Sequence, residues 1–210
     1  MTLGELKTLL MQRCGNRDDL ASQIVSELNL VQTTHLERAG SFKPWFLESP
    51  LTTLVTVNGD MDVDYPADYL GEIEGSMLWH QATDLSWKKL IKKSYDYIQE
   101  KNDESGSPVY YTTGATGFII GPTPDAVYNL RFRYYKKDST VSADGDTNLW
   151  LTHATDLIIA EVGARICKYH TRDVAGEERF RLDAEEARSR LFVVHEASLH
   201  TNRKYGMGED

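Results

Sequence analysis

An α+β fold, with helices at both ends and strands between them, is what this 210-residue sequence predicts. Apolar residues recur at helical spacing in the first 40 residues and again after about residue 150. Between them lie β-branched and alternating runs broken by turn signals. This order predicts a helical bundle core built from both ends of the chain, with a β-rich insertion between. The expected division is 1–40 for the N-terminal helices, 41–148 for the insertion with one amphipathic helix, and 149–210 for the C-terminal helices and a mobile tail.

The opening segment pairs Thr2 with Glu5, the spacing of a capping box, ahead of Leu3, Leu6, Leu9 and Leu10. Gly15-Asn16 ends that helix. A second helix starts near Asp18, with Leu20, Ile24, Leu28, Val31 and Leu36 on one face as far as about residue 39. Strand character then takes over. Thr52 to Val57 is rich in β-branched residues and leads into the turn signal Asn58-Gly59. In Asp60-Met61-Asp62-Val63-Asp64-Tyr65 the acids alternate with apolar residues, so the acids face water and Met61, Val63 and Tyr65 face inward. The three aspartates lack the glycine and terminal glutamate of an EF-hand loop and read as a polar strand face.

An amphipathic helix is expected over 85–101, with Leu85, Leu90, Ile91, Tyr95 and Ile98 opposite Lys88, Lys89, Lys92 and Lys93. Strands follow over 108–113, 117–120 and 126–135. Residues 138–148, rich in Ser, Asp, Gly and Thr, are the expected mobile loop. Two helices close the fold. Leu157, Ile158, Val162 and Ile166 form one stripe, and Phe180, Ala184, Ala187, Leu191 and Val194 form the other, with Glu186 and Arg190 paired on its wet side. Three of these helices, 18–39, 155–170 and 177–200, are expected to pack together as the core.

Composition narrows the function. Hydrophobic content of 40% and charged content of 26% are those of an ordinary soluble globular protein. No apolar run approaches the roughly 20 residues of a membrane span, and the start lacks the pattern of a signal peptide. Cys14 and Cys167 are expected to be free, buried thiols. The net charge is −9, and residues 44–87 hold eight acids with no Lys or Arg. Such a stretch repels phosphate, so it is a poor candidate for holding nucleic acid tightly. It reads either as a solvated face or as a surface past which DNA slides. No phosphate-binding loop, dinucleotide fingerprint, metal-ligand spacing or nucleophile elbow occurs. Catalytic, cofactor-binding and metal-binding residues are therefore expected to be none.

One ordered series carries a resemblance. Gly117-Phe118-Ile119-Ile120-Gly121-Pro122-Thr123-Pro124-Asp125 runs into Tyr128-Asn129-Leu130-Arg131-Phe132-Arg133-Tyr134-Tyr135, then Asn148-Leu149-Trp150-Leu151 and Asp156-Leu157-Ile158. Upstream stands the turn Asp64-Tyr65-Pro66-Ala67-Asp68-Tyr69-Leu70. With the helices at both ends, the chain resembles the head–tail connector (adaptor) proteins of tailed bacteriophages. The resemblance implies a structural, non-enzymatic virion protein in the neck between head and tail, made in the host cytoplasm. It implies a homo-oligomeric ring, commonly of twelve copies, that docks on the portal protein, joins it to a tail or nozzle protein and lets DNA pass without tight binding. Another neck or tail-completion protein, and a non-viral acidic binding module, are the alternatives. Trp150, Arg203, Lys204 and Tyr205 are the candidate partner-binding residues. Residues 202–210, with two glycines and little apolar content, are expected to be loose in the isolated subunit.

Overall fold

The computed structural model describes residues 1–38, 43–81, 86–100 and 105–205, with side chains as far as Ser198. It is α+β and divides into two compact units. The helical unit comprises Met1–Leu47 and Lys137–Asp210, and the β unit is Glu48–Lys136. The expected insertion limits, 41 and 148, are wider than this unit. Phe46 and Leu47 are buried among helices, and residues 138–148 hydrogen-bond to the helical unit.

In the helical unit, α1 (Leu3–Arg13) begins at the capping box of Thr2 and Glu5. Helix α2 (Ala21–Leu30) follows a short 3₁₀ turn and continues as a π-helical segment, Val31–Arg38. After the β unit come α4 (Leu149–His153), α5 (Thr155–Ile166) with a π segment at Cys167–Thr171, and α6 (Val174–Tyr205). Helix α5 is the centre. Eight of its twelve residues are buried, and α1, α2, α4 and α6 all pack on it. A helix apolar on every side must be covered on every side. At the crossing with α6, a Cβ on Gly163 would lie 2.6 Å from the Phe180 ring, so only glycine lets the two helices approach this closely. The expected packing of the three long helices is found, with α5 between α2 and α6.

One ion pair ties α2 to the end of α5. Glu27 Oε2 accepts from Arg165 Nε at 2.5 Å, and its Oε1 lies 3.1 Å from His170 Nε2. Burial alone opposes ionisation of Glu27, but these two partners outweigh it and hold its pKa below the ordinary 4.5.

The β unit contains strands β1 (Thr52–Val55), β2 (Asp62–Asp64), β3 (Tyr69–Glu72), β4 (Leu78–Gln81), β5 (Lys88–Lys89) and β6 (Ile91–Lys92). The short helix α3 (Tyr95–Glu100) precedes β7 (Ser105–Gly106), β8 (Tyr110–Thr113), β9 (Gly117–Gly121), β10 (Thr123–Pro124), β11 (Tyr128–Phe132) and β12 (Tyr134–Lys136). One sheet has the order β1-β11-β4-β5 and the other β2-β9-β8-β6. Small pairs β3–β12 and β7–β10 complete the unit. Both four-stranded sheets feed one core, which includes Val63, Trp79, Tyr111, Phe118, Ile120, Leu130 and Phe132. Phe118 meets Phe132 edge to face at 5.1 Å. The Pro66–Tyr69 turn joins β2 to β3, as the motif implies. Gly117 permits the β2–β9 pairing, since a Cβ there would lie 2.4 Å from the Val63 carbonyl oxygen.

Three expectations are corrected. The helix over 85–101 is reduced to α3, and Leu85 and Lys101 lie outside the described residues. Residues 88–92 form strand instead, because Leu90 alone turns into the core while its neighbours pair with β4 and β8. The loop over 138–148 is pinned: Val141 is buried, and Asn29 bonds its backbone on both sides. Finally, α6 continues through Tyr205 where a loose tail was expected from Asn202. Arg and Lys are good helix formers, and the first glycine comes only at 206. Residues 206–210 lie outside the described residues.

Because the folded-state pKa of Glu27 is depressed, its contribution is fully present above the unfolded carboxylate value and is lost as pH falls through the folded one. Thermal melts from pH 7 downward should therefore show a loss of stability beginning near pH 4.5. Glu27→Gln should be destabilised by about 1–3 kcal/mol at pH 7 and should lose that part of the acid dependence. A Glu27→Gln melting curve parallel to wild type at every pH would refute the role of this pair.

Candidate interaction surfaces

The least exposed polar cluster of the helical unit surrounds Glu37. The π turn after α2 carries Gln32 and Glu37 inward to 0% and 3% exposure. Glu37 Oε1 accepts from Gln32 Nε2, the Asp138 backbone N–H and the Trp150 indole N–H, each at 3.1 Å. Gln32 also donates to the carbonyls of Asp138 and Ser139, and its Oε1 accepts from Asn148 Nδ2 at 2.8 Å. Asp138 Oδ2 accepts the N–H groups of Leu149 and Trp150, and Asn148 Oδ1 caps α4 through Leu151 N–H. Burial raises the pKa of Glu37. The Asp138, Trp150 and Gln32 donors oppose this, and the nearby Asp138 charge reinforces it.

Trp150, a candidate contact for another chain, is buried here at 2%, with Phe46 edge-on at 5.1 Å. The other candidates, Arg203, Lys204 and Tyr205, lie on the last turn of α6. The structure does not bring Trp150 and this turn together as one described site. Between them in sequence, α6 exposes Leu182 (62%) and Val193 (67%) on the side away from Phe180, Ala184 and Leu191. A shallow cleft beside that helix is lined by Trp45, His153, Leu157, Arg190, Leu191 and Val194.

The acidic stretch of the β unit divides in two. Asp60, Asp62 and Asp64 are exposed, with Met61, Val63 and Tyr65 turned inward as the alternation predicts. Asp68 and Glu72 instead serve the unit internally. Asp68 Oδ1 accepts from the Tyr134 hydroxyl at 2.7 Å, and Glu72 accepts from the Tyr111 hydroxyl at 2.5 Å and Lys92 Nζ at 2.7 Å. Burial, with Asp68 beside it, pushes the Tyr134 hydroxyl up to about 12. Among the aromatics of the β unit, Trp79, Tyr111 and Tyr134 are core, and Tyr110 and Tyr135 are half-buried. Sequence reasoning passed over Val55, Val57 and Val127, which stand 55–58% exposed on the outer side of the β1–β11 pair. Val55 ends β1, while Val57 and Val127 lie just beyond the strand ends.

Among the described residues no group of three His, Cys, Asp or Glu side chains is placed to hold a metal ion. No described helix is long and apolar enough to cross a membrane. Cys14 and Cys167 are free. They are neighbours in space: burial, then the adjoining Cys167 thiol, pushes Cys14 up to about 12. Cys167 is buried, whereas Cys14 is half-buried rather than buried as expected.

Trp150→Phe keeps an aromatic ring, though a smaller one, and deletes the N–H given to Glu37. It should cost about 1–3 kcal/mol and speed hydrogen exchange at the amides of Asp138, Leu149 and Trp150's neighbour Leu151. Exchange unchanged at these sites would show that the Glu37 cluster does not hold the loop.

No curated protein sequence matches the chain. The sequence model of the SU10 adaptor protein family matches residues 1–202, spanning both units and nearly all of α6. A match of that extent covers the helical unit, the β unit and the motifs at 64–70 and 117–158 together. The chain belongs to the SU10 adaptor protein family, structural adaptors of bacteriophage particles.

Proposed function

We propose that the chain is the head-to-tail adaptor of a phage neck. In this reading, copies form a ring, of twelve subunits in the resembling connectors, which docks on the portal, receives a tail or nozzle protein and leaves a channel for the genome. The observation that carries it is the family match over residues 1–202. The architecture supports it. One unit is closed by helices, the other is a compact β body, and both contain exposed apolar side chains at alternate or helical spacing.

Charge fits passage of DNA without retention. With a net charge of −9 and Asp60, Asp62 and Asp64 in water, the face that these aspartates form offers duplex DNA little to neutralise its phosphates. The last turn of α6, with Arg203, Lys204 and Tyr205, is the proposed portal contact: two cations and one ring on a helix end. Trp150 serves the partner indirectly, by holding α4 and the loop before it in place. Many copies of a modest contact would give the ring its hold through avidity.

Truncation after Thr201 tests the portal contact. The shortened chain should melt as the full-length protein does, yet lose capture by the portal of the same phage. Undiminished capture would remove the C-terminal turn from the portal contact.

A further inference from the structure

The sheets of the β unit end in two outer strands that differ in kind. Residues 88–92 pair with β4 in their first half and with β8 in their second, so the two four-stranded sheets share this stretch. The outer strands that remain are β1 and β2. The β2 edge is charged and partly closed: Asp62 and Asp64 are exposed, and the Asp62 N–H donates to Asp60 Oδ1 at 2.9 Å. The β1 edge has no such protection. From Ser49 to Gly59 the chain carries no charged residue, and its one guarding proline, Pro50, stands at the end of the stretch.

The register shows which backbone groups of β1 are open. Leu54 faces Leu130, and the Thr56 N–H donates to the Tyr128 carbonyl at 2.9 Å. Bonded positions alternate along an antiparallel pair, so the N–H and C=O of Thr53 and Val55 point away from β11. Both residues are exposed, and no described residue bonds their backbone from the open side. Leu54 packs on the core, which leaves the Thr53 and Val55 side chains on the outer face. The Val57 carbonyl accepts the Asp60 N–H at 3.1 Å and so ends the open edge. Leu51 to Val57 is a template about 20 Å long at the usual rise of a strand.

A row of outward peptide groups is matched by another extended chain, and the side chains beside it say which kind. Val55, Val57 and Val127, 55–58% exposed, call for β-branched neighbours. Asp60, exposed at the Val57 end, calls for a cation. A second copy's β1 brings none to that point. Laid parallel it sets Asp60 beside Asp60, and laid antiparallel about Leu54 it sets Asp60 beside Glu48.

We propose that β1 is a docking edge for an extended segment of a different protein, uncharged and β-branched over about five residues and preceded by Lys or Arg. The segment lies antiparallel to β1, the more stable pairing, so its cation reaches Asp60. The proposal rests on the adaptor reading only in placing that protein in the same virion.

The test uses the full-length protein and a labelled peptide, Lys-Lys-Ser-Val-Thr-Val-Thr, with binding followed by fluorescence anisotropy and position by residue-resolved hydrogen exchange. Bound peptide should slow exchange at the Thr53 and Val55 amides and leave the Leu54 amide, already paired with β11, unchanged. Replacing the two lysines of the peptide by glutamates should weaken binding about tenfold or more. Thr53→Pro removes an outward N–H that the β11 pairing does not use, so it should melt as wild type does and lose the peptide. Methylating the valine amides of the peptide, which leaves the protein untouched, should abolish binding as well. Absence of peptide binding would overturn the proposal and leave the ring and portal readings standing. Binding that survives amide methylation would also overturn it, by assigning the valines to an apolar patch. So would self-association of the wild type that Thr53→Pro abolishes, which would give the edge to a second copy.

Discussion

A carboxylate in the interior of the helical unit joins the two stretches of chain that the β unit separates. Glu37 comes before the insertion, and Asp138 and Trp150 come after it, yet all three meet at hydrogen-bond distance. Removing a carboxylate from water is costly unless its oxygens are occupied. Here the donors come from three segments, so the charge is tolerated only when all three are in place. The unit is discontinuous in sequence, and this cluster makes its closure specific as well as hydrophobic. The neighbouring groups extend the same logic. Asp138 supplies the first N–H groups of α4, Asn148 caps it, and the loop between them has little freedom left.

The β unit is stabilised differently. Its two sheets share an aromatic core, and its internal acids accept hydrogen bonds from buried tyrosines at the margin of that core. Acids that read as one solvated stretch thus have two uses. Asp68 and Glu72 order the tyrosine hydroxyls, while Asp60, Asp62 and Asp64 remain to set the surface potential.

Much of this was legible in the sequence wherever periodicity and burial agree. The stripes through Leu28, Leu157 and Phe180, the alternation through Val63 and the capping box at Thr2 each became the element expected. The segment around Leu90 was not legible, because Lys-Lys-Leu-Ile-Lys-Lys satisfies a helical and a strand pattern alike. Pairing with β4 and β8, which no local signal encodes, decides it. The loop over 138–148 misled for the opposite reason: its Ser, Asp and Asn residues are turn formers and equally good ligands for backbone groups. Trp150 looked like an interface residue because aromatics are enriched there, but its N–H has a buried acceptor. The adjacency of Cys14 and Cys167 depends on how α1 packs against α5, which spacing alone does not reveal.

The claim on which the functional account turns is that this chain builds a closed ring in the phage neck. Negative-stain electron microscopy of the full-length protein bound to its portal tests it most directly. The account predicts class averages with a rotationally symmetric ring, open at the centre, seated on one face of the portal. Portal particles that carry isolated subunits at irregular positions, or density closing the central opening, would contradict it.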